Sequence, residues 1–160
     1  MLTFCTSLIG YQASHKLFVR KIFLEEYLSF LNFVQTQIRY TAIAPHKIIE
    51  KSLGKNEINI FLNILKQNLK TDKTFFASWS NAIFKIKESF GLSKDDVFTM
   101  MDFGEKLGTS DVRSQLKLCD LHIKFINDHI KEAEQSKNQM SKLYLTLGVA
   151  AGMGISLLFL

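Results

Sequence analysis

The sequence predicts an all-α protein, an antiparallel bundle of six helices whose long last helix continues into a C-terminal transmembrane segment. Its 160 residues include a single proline, Pro45, which favours long helices over many short strands with turns. Apolar residues recur at intervals of three and four along most of the chain, and this is the period of an amphipathic helix. Residues 143–160 carry no charge, so the chain divides into a bundle and an apolar tail.

The uncharged tail has the length of a membrane-spanning helix. A helix over residues 143–160 would be about 27 Å long, close to the ~30 Å hydrocarbon core of a bilayer. Soluble domains rarely leave an apolar surface of this size exposed. We therefore predict a helical bundle at residues 14–141 and a transmembrane helix at residues 142–160.

The first residues form a separate apolar segment, 1–13, which is too short to span a bilayer by itself. Three interpretations stay open for it: the last half of a truncated membrane helix, an interfacial anchor, or the first turns of helix one. A cleaved signal peptide is not expected, since the apolar stretch precedes the basic residues instead of following them.

Five helices precede the last one. Pro45 separates the first helix from the second because the residue before a proline avoids the helical region. Glycines are predicted to end three of the helices: Gly54 the second, Gly91 the fourth and Gly108 the fifth. Ser93 is expected to cap the fifth helix. The predicted helices lie at residues 16–43, 45–53, 56–69, 74–90 and 93–108.

The last helix starts after a cap at Ser110 or Asp111 and carries a heptad seam. Such a seam packs against another helix, in the same chain or in a partner. No break separates it from the tail, so the helix can run directly into the membrane segment. The seam residues are Val112, Leu116, Cys119, Ile123, Ile126, Ile130 and Ala133.

Charge and cysteine content indicate the compartment. The net charge is +5 and the pI about 9.2, but the basic residues are dispersed among acids and do not form the aromatic-interleaved patch that binds nucleic acid. Two distant cysteines without a CxxC motif are typical of a reducing compartment. Basic residues flank both apolar segments on the side of the bundle, so the positive-inside tendency places the bundle in the cytoplasm. These flanking residues are Lys16, Arg20, Lys21, Lys131, Lys137 and Lys142.

One constellation invites a metal interpretation. Cys119, His122 and His129 lie on one predicted helix, with Asp120 or Asp128 as assisting ligands. The spacing matches no common site and no fourth ligand is indicated, so a core cysteine and two histidines on a helix face explain the pattern better. No nucleophile motif accompanies the serines. We therefore predict no enzyme, no metal, no cofactor and no small-molecule substrate.

Two further features indicate contacts. Glu105 lies in the last turn of the fifth helix, where a negative charge is unfavourable for the helix dipole. This misfit indicates a contact role, and a solvated glutamate is the alternative and more common explanation. In the tail, Gly148 and Gly152 are spaced as small residues that let membrane helices approach closely. We assign the two glycines to packing on a neighbouring membrane helix.

The chain resembles the stage III sporulation protein AB family of endospore-forming bacteria. The strongest block runs from Phe103 to Gly108 and continues with Asp111 and Gln115, similar to the family's GE-x-LG…D…Q block. A second block, residues 142–152, is similar to the family's K-x-Y-x-x-LG-x-x-GG entry into its C-terminal membrane helix. A looser third block comprises Ile38, Arg39 and Tyr40 before Pro45, with Trp79 further on.

This resemblance implies both a fold and a role. The family is similar to the cytoplasmic domain of the type II secretion inner-membrane platform protein, an antiparallel six-helix bundle. It implies a structural platform in a secretion-like complex of the mother-cell membrane around the forespore, in contact with a cytoplasmic secretion ATPase and membrane subunits. By this analogy we assign Glu105 and Asp111 to partner contacts. The alternative is a generic tail-anchored adaptor that dimerises or binds a partner helix through residues 112–140.

Overall fold

The computed structural model is all-helical over the residues that it describes, which confirms the helical-bundle part of the predicted fold class. It describes the backbone of residues 2–41, 44–52, 57–71 and 74–158, and the side chains of residues 15–41, 44–52, 57–71, 74–136, 138 and 139. Six helices follow one another in these ranges. They are α1 (Leu2–Thr41), α2 (Pro45–Lys51), α3 (Ile58–Asn68), α4 (Phe75–Ile86), α5 (Lys94–Lys106) and α6 (Val112–Leu158).

The two long helices α1 and α6 pack against each other in antiparallel orientation. Early in α1, Lys21 Nζ lies 3.1 Å from Glu134 Oε1 of α6, whereas later in α1 the side-chain amide of Gln35 donates to Asp120 over 2.6 Å. The shorter helices α3, α4 and α5 pack in sequence beside this pair, and α5 returns to α6. The arrangement brings the end of α5 next to the start of α6.

Helix α6 is unbroken over 47 residues, which corresponds to about 70 Å. Its continuity confirms that the last helix of the bundle runs directly into the predicted membrane segment. Helix α1 begins at Leu2 and not at the predicted residue 16, so residues 2–13 belong to α1. The side chains of this segment lie outside the described residues, so its three interpretations stay open.

Where side chains are described, no helix is long and apolar enough to cross a membrane. The predicted transmembrane helix at 142–160 and the apolar segment 1–13 lie outside that part of the chain. Membrane anchoring through either segment therefore stays a prediction.

Helix ends follow local signals where the structure describes them. Ser93 forms a capping box, in which its Oγ accepts from the Asp96 N–H and the Asp96 carboxylate accepts from the Ser93 N–H. Gly91 has a φ of +59° and lies in a Schellman-type turn closed by the N–H of Leu92 on the carbonyl of Lys87. This turn begins after Ile86, so α4 is shorter than the predicted 74–90.

The end of α2 differs from the prediction. The helix stops at Lys51, and the extended residue Ser52 takes the C-cap position, donating its N–H to the carbonyls of Ile48 and Ile49. The predicted cap, Gly54, lies outside the described residues. The serine hydroxyl also donates to the carbonyl of Ile49.

Aromatic side chains fill the centre of the bundle. Trp79 is fully buried, and its indole N–H donates to the carbonyl of Met100 over 2.8 Å. The ring centroids around Trp79 lie between 5.1 and 6.3 Å away, close enough for tilted and edge-on contacts. Trp79 of α4 therefore belongs to the hydrophobic core. The surrounding rings are Phe30, Phe61, Phe75 and Phe103.

The heptad seam of α6 packs inside its own chain. Cys119, Ile126 and Ala133 are fully buried, and α1 is the helix with which α6 shares its most extensive interface. A seam covered by α1 cannot serve a second copy or a partner helix without unfolding the pair. The buried seam positions are therefore unavailable to a partner, whereas Leu121 and Phe125 of the same helix are exposed, so binding through residues 112–140 stays a prediction.

Candidate partner-binding site at the turn between α5 and α6

The turn between α5 and α6 is fixed to the core by a glycine that touches a tryptophan. A Cβ built on Gly104 would lie 2.2 Å from Cδ1 of Trp79, far inside van der Waals contact. The last turn of α5 therefore lies flat on the indole ring, which requires glycine at this position. Two separate blocks of the sequence, around residues 79 and 104, meet in this contact.

We expect the substitution Gly104→Ala to destabilise the protein by about 1–3 kcal/mol, the usual cost of overpacking a core. The added methyl group meets a rigid ring that its hydrogen bond to Met100 holds in place. Urea denaturation of the full chain in detergent measures the change. Glu105→Ala, one residue on and exposed, is the matched control and should stay within about 0.5 kcal/mol. Equal stability of the two variants would contradict the assigned contact.

Gly108 shapes the turn itself. Its φ is +81°, a conformation that side chains other than glycine rarely adopt. A Cβ at this position would lie 2.4 Å from Cγ of Pro45. The turn therefore contacts Pro45, the first residue of α2. This contact places the start of α2 and the α5–α6 turn next to each other at one end of the bundle.

Gln115, near the start of α6, stabilises the α5–α6 turn through hydrogen bonds. It is buried, its Oε1 accepts from the Gly108 N–H over 2.9 Å, and its amide nitrogen donates to the carbonyl of Lys106 and to Ser110 Oγ. All of these partners lie in the turn. Gln115 therefore satisfies the Gly108 N–H and adds a donor to the Lys106 carbonyl, which also accepts from Thr109.

Asp111 caps α6. Its carboxylate accepts from the N–H and the hydroxyl of Ser114 over 3.1 and 2.7 Å, which is the pattern of an N-cap residue. The hydrogen bonds from Ser114, led by the one from its hydroxyl, lower the pKa of this carboxyl. The cap predicted at Ser110 or Asp111 is thus Asp111. The residue is also exposed, so its predicted partner contact stays a prediction.

Glu105 is the acidic residue of the turn without an internal role. It is exposed, and among the described residues no ion pair or hydrogen bond satisfies its carboxylate. Its position in the last turn of α5 also opposes the helix dipole. The geometry therefore leaves one carboxylate, on a rigidly held turn, directed at solvent.

A shallow groove lies beside this turn, where α1, α2 and the start of α6 meet. Its walls are mainly apolar, and the backbone on one side is that of the turn that carries Glu105 and Asp111. Grooves that combine an apolar floor with a few polar groups are common binding sites. The lining residues are Ile38, Ala44, Pro45, Ile48, Leu107, Gly108, Ser110, Val112 and Gln115.

The suspected metal ligands of α6 do not converge. Cys119 is buried, and burial raises the pKa of its thiol to about 11, which keeps it protonated. His122 Nε2 lies 3.2 Å from Asp102, whereas His129 Nδ1 lies 2.9 Å from Asp96. Among the residues with described side chains, no group of three or more His, Cys, Asp or Glu could hold a metal ion.

The suspected assisting ligands of the metal hypothesis are engaged elsewhere. Asp120 accepts a hydrogen bond from Gln35 of α1, and Asp128 pairs with Lys131 on the exposed surface of α6. The first contact is a hydrogen bond between α1 and α6, and the second is an i,i+3 ion pair within α6. These contacts give the metal interpretation no support.

His122 should make stability depend on pH. Burial, partly opposed by Asp102, lowers the pKa of this histidine below its ordinary 6.5, so the unfolded chain binds the proton more readily than the folded one. The free energy of unfolding should then fall as pH drops through and below 6.5. Urea denaturation between about pH 7.5 and 5 measures it. His122→Gln should flatten this dependence, and an unchanged pH profile would contradict the assignment.

The sequence did not reveal the buried ion pair that joins α1 to α5. Arg20 Nε donates to Asp96 over 2.7 Å and its Nη2 donates to the other carboxylate oxygen over 3.0 Å. Asp96 is fully buried and Arg20 nearly so. The capping motif at Ser93 predicted a role for Asp96, but no local signal could identify a partner 76 residues away.

This pair also changes the interpretation of the N-terminal basic flank. Arg20 is one of the basic residues from which the sequence predicts the membrane orientation. In the structure its charge is buried against Asp96. Lys21 pairs with Glu25 and Glu134. Two of the three basic residues after segment 1–13 therefore serve helix packing, and the orientation argument depends on Lys16 and on the lysines before the tail.

The two glycines assigned to membrane packing, Gly148 and Gly152, belong to α6. They lie beyond the residues whose side chains and surroundings are described. Their packing role stays a prediction.

Comparison with known proteins gives consistent results. The sequence model of the family described as Stage III sporulation protein AB matches residues 1–160. A curated protein, Stage III sporulation protein AB of Bacillus subtilis (strain 168), is 27% identical over 137 residues, which cover 81% of this chain and 78% of that protein. A solved structure of a Stage III sporulation protein AB superposes with a TM-score of 0.64 at 20% identity, covering 76% of this chain and 98% of the other, and this likeness shows the fold.

Proposed function

Because the chain belongs to the Stage III sporulation protein AB family, we propose that it is a structural membrane subunit of a secretion-like transport complex required for endospore formation. In this role the bundle links a cytoplasmic secretion ATPase to membrane components of the same complex. The protein holds these parts in place and catalyses no reaction.

The observation that carries this proposal is the exposed carboxylate of Glu105 on a turn held rigidly from every side. Gly104 rests on Trp79, Gly108 on Pro45, and Gln115 closes the backbone. A turn whose backbone is already fixed avoids the entropy cost of ordering that backbone on binding, which favours recognition. We assign Glu105 to the ATPase contact, with Asp111 beside it.

Helix α6 supports the membrane part of the proposal. It passes without a break from the bundle into the uncharged residues 143–160, so a force or displacement at the bundle would reach the membrane through one rigid element. Lys131, Lys137 and Lys142 precede the uncharged residues, which favours a cytoplasmic bundle under the positive-inside tendency. We place the protein in the mother-cell membrane around the forespore, with Gly148 and Gly152 packed on another membrane helix.

Deletion of the gene in the organism that encodes it tests the proposal. Loss of heat-resistant spores with arrest after engulfment is the expected phenotype. The full chain should restore spore formation, and a chain that ends at residue 142 should not. Normal spore yield in the deletion strain, or full rescue by the truncated chain, would contradict the membrane platform.

A further inference from the structure

The outer face of α5 exposes an aromatic side chain between carboxylates. Phe98 is 73% exposed, which is unusual for a phenylalanine in the middle of a helix. Asp95 and Glu105 lie three residues before and seven residues after it, so helical periodicity places them on the same face. Aromatic residues presented this way are typical anchors of protein interfaces.

Helix α6 extends the apolar part of this surface. Leu121 is 47% and Phe125 40% exposed. The contact of 3.2 Å between His122 and Asp102 brings this part of α6 against α5, and the ring of Phe125 lies 5.9 Å from that of His122. Phe98 lies one helical turn before Asp102, so the exposed apolar side chains of α5 and α6 lie near the Asp102–His122 contact. We name the surface formed by Asp95, Phe98, Glu105, Leu121 and Phe125 the α5–α6 face.

The charge of α5 is opposite in sign to that of the protein. The segment Lys94–Lys106 holds four acids and two lysines, a net charge of −2, on a chain whose net charge is +5. Two of the acids are engaged, since Asp96 binds Arg20 and Asp102 pairs with Lys106. Asp95 and Glu105 are exposed, and no ion pair with another described residue neutralises either of them.

We propose that the α5–α6 face docks an amphipathic segment of a partner protein in which lysine or arginine side chains flank apolar ones. The apolar residues of the partner segment would bury Phe98, Leu121 and Phe125. Its basic residues would form ion pairs with Asp95 and Glu105. The inference rests on the proposed function, because Glu105 is shared, and it adds the chemistry of the partner segment.

A second copy of this chain is a poor occupant of the same surface. In a symmetric dimer the same patch meets itself, which would bring Asp95 and Glu105 of one copy towards those of the other. Like charges in contact weaken association. Charge complementarity therefore favours a basic partner of different sequence.

Substitution of Phe98 tests the aromatic anchor. In the full chain, Phe98→Ser should reduce the number of heat-resistant spores by about tenfold or more, as expected for truncation of an interface hot spot. Phe84→Ser is the matched control, since Phe84 is 53% exposed on α4 and lies outside the α5–α6 face. Equal spore counts in the two variants, with equal protein levels, would overturn the docking face.

Photo-crosslinking tests the chemistry of the partner. A benzophenone amino acid at position 98 of a chain that still supports sporulation should crosslink to a segment of another protein with an excess of lysine and arginine. A crosslink to an acidic segment, to a second copy of this chain, or to nothing would overturn the inference. If Glu105→Lys blocks sporulation while Phe98→Ser has no effect, the platform role stands and the docking face fails.

Discussion

The substitution Glu105→Lys is expected to reduce heat-resistant spores by orders of magnitude while the protein remains folded. Glu105 is exposed and no described residue pairs with it, so the change removes nothing from the bundle and even suits the helix dipole. A basic partner group would instead face a like charge, which costs several kcal/mol, or about 100-fold in affinity. Spore counts after heat treatment measure the result.

A second exposed glutamate provides the control for this variant. The side chain of Glu88 is 89% exposed near the end of α4, away from the α5–α6 turn. Glu88→Lys makes the same change in net charge and should leave sporulation intact. If both variants sporulate normally, or if Glu105→Lys unfolds the chain, Glu105 is not a contact residue.

The substitution Asp96→Ala should destabilise the protein by about 3 kcal/mol, near the lower end of the usual cost of breaking a buried ion pair, because Arg20 keeps weaker contacts with Glu132 and with the Ser93 hydroxyl. Arg20 would lose both hydrogen bonds from its guanidinium to the carboxylate, and Ser93 would lose half of its capping box. Because folded domains are stable by only about 5–15 kcal/mol, this variant should unfold well below the wild-type temperature. Chemical denaturation of the full chain in detergent measures the difference.

Two comparisons separate the ion pair from general damage to α5. Asp95→Ala changes the exposed neighbour of Asp96 and should cost far less. The double variant Arg20→Met/Asp96→Leu removes both charges, so it should be more stable than Asp96→Ala alone. If the double variant were less stable than the single one, the unpaired charge of Arg20 would not explain the loss.

Local sequence signals predicted the helices and most of their ends. Ser93 carries its own capping partner three residues on, and Gly91 and Gly108 adopt the positive φ that a helix end requires. Each of these signals acts within one turn of the chain. They were therefore available without knowledge of the tertiary structure, as was the heptad period of α6.

Contacts between distant segments could not be predicted in the same way. The sequence does not show that Gly104 touches Trp79 or that Arg20 pairs with Asp96, since packing alone brings these residues together. The seam of α6 was equally ambiguous, because a heptad period does not reveal whether its partner is α1 or another molecule. Only the tertiary structure shows which helix covers the seam.

The candidate site was identified from the sequence in part. Glu105 was singled out because it opposes the helix dipole, and the structure adds that the turn around it is rigid. Asp111 was chosen for the same role, but its hydrogen bonds to Ser114 show a cap. Phe98 carried no signal in the sequence, because a phenylalanine on a helix is normally assigned to the core.

The most direct test of the platform function is the affinity of the full chain, in detergent micelles, for the purified secretion-type ATPase of the same sporulation complex. Wild-type protein should bind saturably, and Glu105→Lys should weaken binding by about 100-fold, with Glu88→Lys unchanged. Absence of binding by the wild type, or equal affinity of all three proteins, would contradict the account.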